Sequence, residues 1–219
     1  MDNKRVVLRG HSPAGTGRPA ETQRTFPASY TYLLSPAQLN GPRAQMLFRP
    51  ESQFELAQRL RTTGITLGEA FSFVSPLYFR GKLAYAAAFS RPSGKGVSGI
   101  LLITPSRGLL PPETIVTLGE LRAITADNIA ANNPGYRDPL ERDLRALSET
   151  IVDETRVVLL GSIATKKYVP MLLHVFGERL MVPRKFVGLG NMSRGALLLR
   201  CLRQGCELEY VAATQILEL

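Results

Sequence analysis

Short apolar runs that alternate with segments of helical periodicity constrain this fold more than any other feature of the sequence. The runs YTYLL (30–34), ILLI (100–103) and RVVLL (156–160) are each followed within two residues by glycine or proline. Runs of this length and composition predict strands that are buried on both faces. Because helical patterns separate them, the sequence predicts an α/β fold, a three-layer sandwich with a mostly parallel central sheet.

Length and turn-forming residues predict one domain preceded by an arm. A chain of 219 residues is expected to form a single hydrophobic core. Residues 1–27 are polar and contain three glycines and three prolines, which favour turns and irregular backbone. We therefore predict a flexible basic arm over residues 1–27 and a single α/β domain over residues 28–219.

Three stretches have the pattern of a helix N-terminus. TLGE occurs at residues 66–69 and again at 117–120, and in each copy the threonine and the glutamate are placed to satisfy free backbone N–H groups. In DPLERDLRALSET (138–150), the order of aspartate, proline and glutamate predicts that a helix begins at Asp138.

Positive charge is concentrated in two parts of the chain. The formal net charge is +9; residues 156–206 contain nine Lys or Arg and one acidic residue, and residues 1–50 contain seven and two. This distribution favours a polyanionic or phosphate-bearing partner. The alternative is a basic surface that only keeps the protein in solution.

The sequence disfavours several classes of protein. No run approaches the roughly 18 to 20 apolar residues that cross a bilayer, and the N-terminus has no apolar signal core, so we expect a cytoplasmic protein without a membrane partner. Cys201 and Cys206 lack CxxC spacing and a nearby histidine, which predicts buried, reduced thiols, no metal site and no cofactor. His174 lies among apolar residues and is expected to pack rather than to act as a base. No catalytic residue is identified, and whether the protein is an enzyme stays open.

Four loops rich in glycine, proline or small polar residues are predicted at the edge of the sheet where the strands end: 35–43, 104–110, 161–167 and 188–194. Ligands of open parallel sheets bind in the crevice at this edge, and glycine backbones, hydroxyl groups and helix N-termini suit a phosphate or a carboxylate. The predicted anion-binding residues are the cations of these loops: Arg43, Arg107, Lys166, Lys167 and Arg194. The predicted polar ligand-binding residues are Ser35, Asn40, Ser106, Ser162, Thr165, Asn191 and Ser193.

Two of these loops approximate known phosphate-binding motifs without matching them. GSIATKK (161–167) lacks the GxxxxGK[ST] spacing of a P-loop, and GLGNMSRG (188–195) misplaces the last glycine of GxGxxG. Each loop is open to two interpretations. One is a general anion site at a helix N-terminus, and the other is tight packing between a strand and a helix.

The helical segment SPLYFRGKLAYAAAF (75–89) is also open to two interpretations. Its aromatic residues, together with Arg80 and Lys82, suit stacking on bases and contact with phosphates. Alternatively, the aromatic side chains fill the core while the two cations extend from the flank of the helix.

The order of these segments resembles, distantly, that of the YaaA-like and DUF6884 protein families. Their pattern has a tyrosine-containing helix, then a strand ending in an SAKYGLL-P type of loop, then a strand, glycine, tyrosine and helix. Over roughly residues 28–205 this chain follows that pattern, and the matching positions are Ser106, Gly108, Leu109, Pro111, Gly161, Tyr168 and Leu172. The resemblance implies a uracil-DNA-glycosylase-like α/β fold and a link to nucleic acids, modified bases or stress defence, although a shared fold does not transfer catalysis.

Three hypotheses about function follow. The first is a protein that binds a nucleotide or a nucleic acid at the carboxyl edge of its sheet and acts on an N-glycosidic bond. The second is a non-catalytic interaction protein that uses a basic face to bind an acidic partner. The third is an enzyme that acts on a small anionic metabolite.

Overall fold

A computed structural model describes residues 29–93, 96–126 and 129–217, so the arm predicted over residues 1–27 lies outside the described residues. The strands are β1 (Tyr30–Leu34), β2 (Ile65–Thr66), β3 (Ile100–Ile103), β4 (Leu109–Leu110), β5 (Ile115–Val116), β6 (Arg156–Leu160), β7 (Leu180–Pro183) and β8 (Tyr210–Ala212). The α-helices are α1 (Pro42–Phe48), α2 (Glu55–Thr62), α3 (Leu67–Val74), α4 (Tyr78–Phe89), α5 (Leu118–Thr125), α6 (Pro134–Thr150), α7 (Val169–Phe176), α8 (Asn191–Gln204) and α9 (Ala213–Leu217).

The central sheet has six strands in the order β4-β3-β1-β6-β7-β8. The four inner strands are parallel, and the two edge strands, β4 and β8, are antiparallel to their neighbours. β2 and β5 form a separate antiparallel pair. The predicted α/β class and the mostly parallel sheet are therefore confirmed, and the three apolar runs form the strands β1, β3 and β6.

Two hydrophobic cores cover opposite faces of this sheet. Tyr32 and Leu34 of β1 and Val158 of β6 belong to one core, which α1 to α5 and α8 complete. Leu33 and Val157, the intervening residues, belong to the other core, with α6, α7 and α9. Because side chains alternate along a strand, fully buried strands supply both cores at once, and the result is a helix–sheet–helix arrangement.

The helix N-termini confirm two of the three predicted caps. Thr66 Oγ1 accepts the N–H of Glu69, and the Glu69 carboxylate accepts the N–H of Thr66; Thr117 and Glu120 repeat this arrangement. The start predicted at Asp138 is wrong. Helix α6 begins at Pro134, and the side chain of Asn133 accepts the N–H of Gly135. Asn-Pro is itself a cap followed by a first-turn proline, so the helix starts there and continues through Pro139.

The aromatic helix α4 packs against α8 and the sheet. Phe79 and Tyr85 are buried, and the Tyr85 hydroxyl accepts the N–H of Leu208 at 2.7 Å. The interpretation of these aromatic residues as core is therefore confirmed. The accompanying expectation that Lys82 extends from the helix flank is wrong, because Lys82 is only 1% exposed.

None of the helices in the described ranges combines the length and the apolar character that crossing a bilayer requires.

Candidate functional site

The carboxyl ends of β1 and β6 form the topological switch point of the sheet. The chain leaves β1 toward β3 on one side and leaves β6 toward β7 on the other. Neighbouring strands whose connections diverge leave an open crevice between their exit loops, and ligands of α/β sheets bind there. The loop after β1 and the loop after β6 meet at this point.

A cleft of about 390 Å³ occupies the switch point. The loop after β1, the end of α3 with the start of α4, the loop after β6 and the first residue of α8 all contribute to its wall. Its lining residues are Ser35, Pro36, Ala37, Gln38, Val74, Ser75, Tyr78, Ile129, Ser162, Thr165, Lys167, Tyr168 and Asn191. One exposed cation, Lys167, thus stands among hydroxyl and amide groups and two tyrosines.

Lys82 lies beneath the cleft and contacts Ser35. Its side-chain nitrogen Nζ donates to Ser35 Oγ at 2.8 Å and to the backbone carbonyl oxygen of Ser35, while the Ser35 hydroxyl donates to the Leu160 carbonyl oxygen at 3.4 Å. Nζ lies 4.6 Å from the centre of the Tyr78 ring and 5.0 Å from that of Phe79. Among the described residues, Lys82 forms no ion pair with a carboxylate. Burial, reinforced by the positive charge of Arg194, holds the pKa of Lys82 well below its ordinary value.

Arg194 supplies a cation beneath the cleft. Its Nε and Nη2 donate to the carbonyl oxygen of Phe186 at 3.1 and 3.0 Å, and the residue is 7% exposed. The Tyr78 hydroxyl makes no hydrogen bond of ordinary geometry within the described ranges. Burial raises the pKa of Tyr78, and the nearby Arg194 guanidinium opposes that rise. The cleft is therefore positive both at its rim and beneath its floor.

Gly161 lets Tyr168 approach Ser35. The Tyr168 hydroxyl accepts the N–H of Ser162 at 3.2 Å. A Cβ at residue 161 would lie 2.9 Å from that hydroxyl and 3.0 Å from the Cβ of Ser35. Burial raises the pKa of Tyr168, and the Ser35 hydroxyl and the Ser162 N–H counteract it.

The structure brings together some of the residues that the sequence predicts for a site. Ser35, Ser162, Thr165, Lys167 and Asn191 all line the cleft. Asn40 lies in an adjoining depression of about 280 Å³ that Lys167 also borders. The binding roles of these residues stay predictions.

Three other predicted residues interact with the protein itself. The Nε of Arg43 donates to the carbonyl oxygen of Phe73 at 2.6 Å, with the guanidinium 4.6 Å from the Phe73 ring. The Ser106 hydroxyl donates to the last carbonyls of α5. Arg107 is exposed, and its charge adds to the hydrogen bonds from Thr117 that lower the pKa of the Glu120 carboxyl. None of the three lines the cleft.

The remaining three predicted residues also lie outside the cleft lining. Lys166 is exposed and, unlike its neighbour Lys167, does not line the cleft; Ser193 borders a separate depression with Lys185 and Arg200. Arg194 is beneath the floor rather than in the crevice. In GLGNMSRG, a Cβ at residue 195 would lie 3.0 Å from the Cα of Tyr78, so its last glycine serves the contact between α8 and α4.

Tyr168 was not predicted as a site residue, and Tyr78 and Lys82 were linked to a ligand only in one of the two interpretations of residues 75–89. A signal for Lys82 was present, because Phe79, Lys82 and Ala86 recur at i, i+3 and i+7 and all three are buried. A lysine within the apolar stripe of a helix is a candidate for a buried polar site.

Cys206 and His174 are exposed, whereas the sequence predicts that both are buried. Cys206 is exposed, although Cys201 is buried as predicted. His174 is exposed on the outer face of α7 rather than packed, because it points away from the buried Leu172 and Phe176. Within the described ranges, no group of three or more His, Cys, Asp or Glu residues could hold a metal ion.

Comparison of the chain with protein-family models, with curated proteins and with solved structures found no match.

Proposed function

We propose that the cleft between β1 and β6 binds a nucleotide, either free or as part of a nucleic acid. The observation that carries this proposal is the combination of a switch-point crevice with a cationic rim. Lys167 stands at the rim, and none of the described lining residues is Asp or Glu. A site of this charge attracts phosphate, and its place in the sheet is where α/β proteins bind nucleotides.

Size and lining also support a nucleotide. Small-molecule sites occupy roughly 300 to 1,000 Å³, and the cleft lies within that range. Val74, Ile129 and the ring of Tyr78 offer apolar surface for a base, while Gln38 and Asn191 offer amide groups for its edge. Lys167, Thr165 and Ser162 would then contact the phosphate.

The proposal is limited to binding. Cleavage of an N-glycosidic bond calls for a group that protonates the leaving base or activates a water. Asp, Glu and His are the usual groups for this work, and the described residues of the lining include none of them. The resemblance to YaaA-like proteins and the uracil-DNA-glycosylase-like fold stay predictions, and they favour the nucleotide only by analogy.

Thermal unfolding with added ligands tests the proposal. The purified chain is heated with nucleoside monophosphates, free bases or sugar phosphates. A ligand at 100 times its dissociation constant stabilises the folded state by about 2.7 kcal/mol. Monophosphates should stabilise more than bases or sugar phosphates alone, because only they contact both parts of the cleft.

Lys166 and Lys167 provide a matched pair of variants. Lys167→Ala should weaken nucleotide binding roughly tenfold, because a hydrogen bond to a charged group is lost. Lys166→Ala changes the net charge equally and should leave the affinity unchanged. Equal effects would show that only overall charge matters. No stabilisation by any nucleotide, together with capture of an acidic protein, would favour the interaction-protein hypothesis instead.

A further inference from the structure

We propose that Ser35 is a nucleophile for acyl transfer and that Lys82 is the base that accepts its proton. The substrate class is an ester, thioester or amide with an anionic group that reaches Lys167. The proposal concerns the same cleft as the proposed function, but it does not require that a nucleotide be the occupant.

Ser35 stands between the cleft and Lys82. It follows directly after β1 at the switch point, lines the cleft and retains 8% exposure. Lys82 reaches the same hydroxyl from beneath, with Nζ 2.8 Å from Oγ, and is itself 1% exposed. A substrate in the cleft therefore meets the serine, while the lysine can act only through it. A nucleophile within hydrogen-bond reach of a base is the signature of covalent catalysis.

The surroundings of Lys82 suit a neutral amine. In the structure Lys82 Nζ donates to the Ser35 carbonyl oxygen and to Ser35 Oγ, and the Ser35 hydroxyl donates to the Leu160 carbonyl oxygen at 3.4 Å. That last hydrogen bond is long, so rotation of the hydroxyl directs its proton to the lone pair of a neutral Lys82 amine, as a base requires. An ammonium ion here would face Arg194 without a carboxylate partner among the described residues. The faces of Tyr78 and Phe79 compensate such a charge only in part.

The reaction is balanced with water as the second substrate. Ser35 Oγ attacks the carbonyl carbon as its proton passes to Lys82 Nζ, and the carbonyl π electrons move to the oxygen. When the tetrahedral intermediate collapses, the bond to the leaving group breaks and Lys82 returns the proton to that group. Water then attacks the acyl–serine ester by the same route, which releases the acid and restores the serine.

Tyr168 is a positioning residue beside this pair. Its hydroxyl accepts the N–H of Ser162 and lies next to Ser35, with Gly161 leaving the space between them. Once the Ser35 proton has passed to Lys82, the Tyr168 hydroxyl donates its own proton to Ser35 Oγ or to the developing oxyanion.

An alkyl fluorophosphonate tests the proposal on the full chain. Ser35 Oγ should displace fluoride and form a stable phosphonate ester, located by mass spectrometry of proteolytic peptides. Ser35→Ala should abolish labelling, whereas Ser52→Ala should not change it, because Ser52 does not line the cleft and its hydroxyl donates to the Met46 carbonyl oxygen. Lys82→Met and Lys82→Gln should each slow labelling roughly 100-fold or more, provided that circular dichroism shows an intact fold.

Labelling of the wild type tests whether Ser35 is a nucleophile even if both Lys82 variants fail to fold. Ser35 that stays unlabelled from mildly acidic to alkaline pH overturns the proposal, and so does labelling at another serine alone. Folded Lys82 variants that label at the wild-type rate overturn the role of the lysine. Nucleotide stabilisation is measured separately, so its absence removes the proposed function without affecting this result.

Discussion

Two loops of similar composition behave differently at the same edge of the sheet. The β3 loop (residues 104–108) and the β6 loop (residues 161–168) each contain glycine, hydroxyl residues and a cation. In the β3 loop, Thr104 bonds to Gly108 through both its N–H and its hydroxyl, and Leu109 N–H donates to Asp143 of α6. In the β6 loop, Ser162, Thr165 and Lys167 face an open cleft.

The difference comes from what lies next to each loop. The chain turns back after β3 to form the antiparallel strand β4, so the β3 loop is a tight turn held between α5 and α6. The chain after β6 diverges from the chain after β1, which leaves space for a ligand. A loop with anion-binding composition therefore forms a site only where its polar groups are not already bonded within the protein.

The largest expected effect is the loss of stability when Gly108 of the β3 loop is replaced. Gly108 has φ +61°, and a Cβ there would overlap the Asp143 carboxylate and come within 2.6 Å of the Pro139 carbonyl oxygen. Gly108→Ala should therefore lower the free energy of unfolding by about 3 kcal/mol, measured by urea denaturation. The control Gly119→Ala has nothing within 4 Å and should change stability by no more than about 1 kcal/mol. Equal stability of the two variants would contradict the tight packing inferred for this loop.

The second prediction concerns the pH dependence that Lys82 gives to the free energy of unfolding. Between the lowered pKa of folded Lys82 and its ordinary pKa of 10.5, the unfolded chain binds one more proton than the folded chain. Its contribution to the free energy of unfolding therefore rises with pH, by at most about 1.4 kcal/mol per pH unit. Lys82→Met should remove this slope in urea titrations at a series of pH values. Identical slopes would show that folded Lys82 keeps its proton.

The third prediction compares Gly161 of the β6 loop with Gly108 of the β3 loop. Gly161→Ala should displace the Tyr168 hydroxyl from Ser35 and cost about 1 kcal/mol of stability. The cost is smaller than at Gly108, because the nearest contact is the end of a side chain and the backbone has no positive φ. Stabilisation by nucleotides should fall in this variant. If nucleotides stabilise this variant as much as the wild type, Gly161 and Tyr168 do not belong to the site.

The smallest effect compares two serines. Ser106→Ala removes partly exposed hydrogen bonds to the end of α5 and should cost about 0.5 kcal/mol in urea denaturation, without changing nucleotide binding. The Ser162 hydroxyl makes no hydrogen bond within the described ranges, so Ser162→Ala should keep the stability and weaken the binding. The reverse pattern would place the site at the β3 loop.

Much of the architecture follows from local sequence patterns. The strands β1, β3 and β6, the caps at Thr66 and Thr117, and the sheet edge that collects the loops were all predictable. Alternation along a strand, periodicity along a helix and hydrogen bonds of a cap depend on residues within a few positions of one another. The start of α6 was missed because two cap patterns occur in succession, and the pattern nearer the N-terminus begins the helix.

The sequence by itself determined an α/β protein with a mostly parallel central sheet. Only the tertiary structure decided which loops open into a cleft, because that depends on the order of strands in the sheet. It also decided the place of Lys82, since its burial against Ser35 requires α4, α8 and β1 to pack together from distant parts of the chain. Local periodicity reports which face of a helix is buried, but the partner of a buried polar group is set by contacts that no local pattern contains.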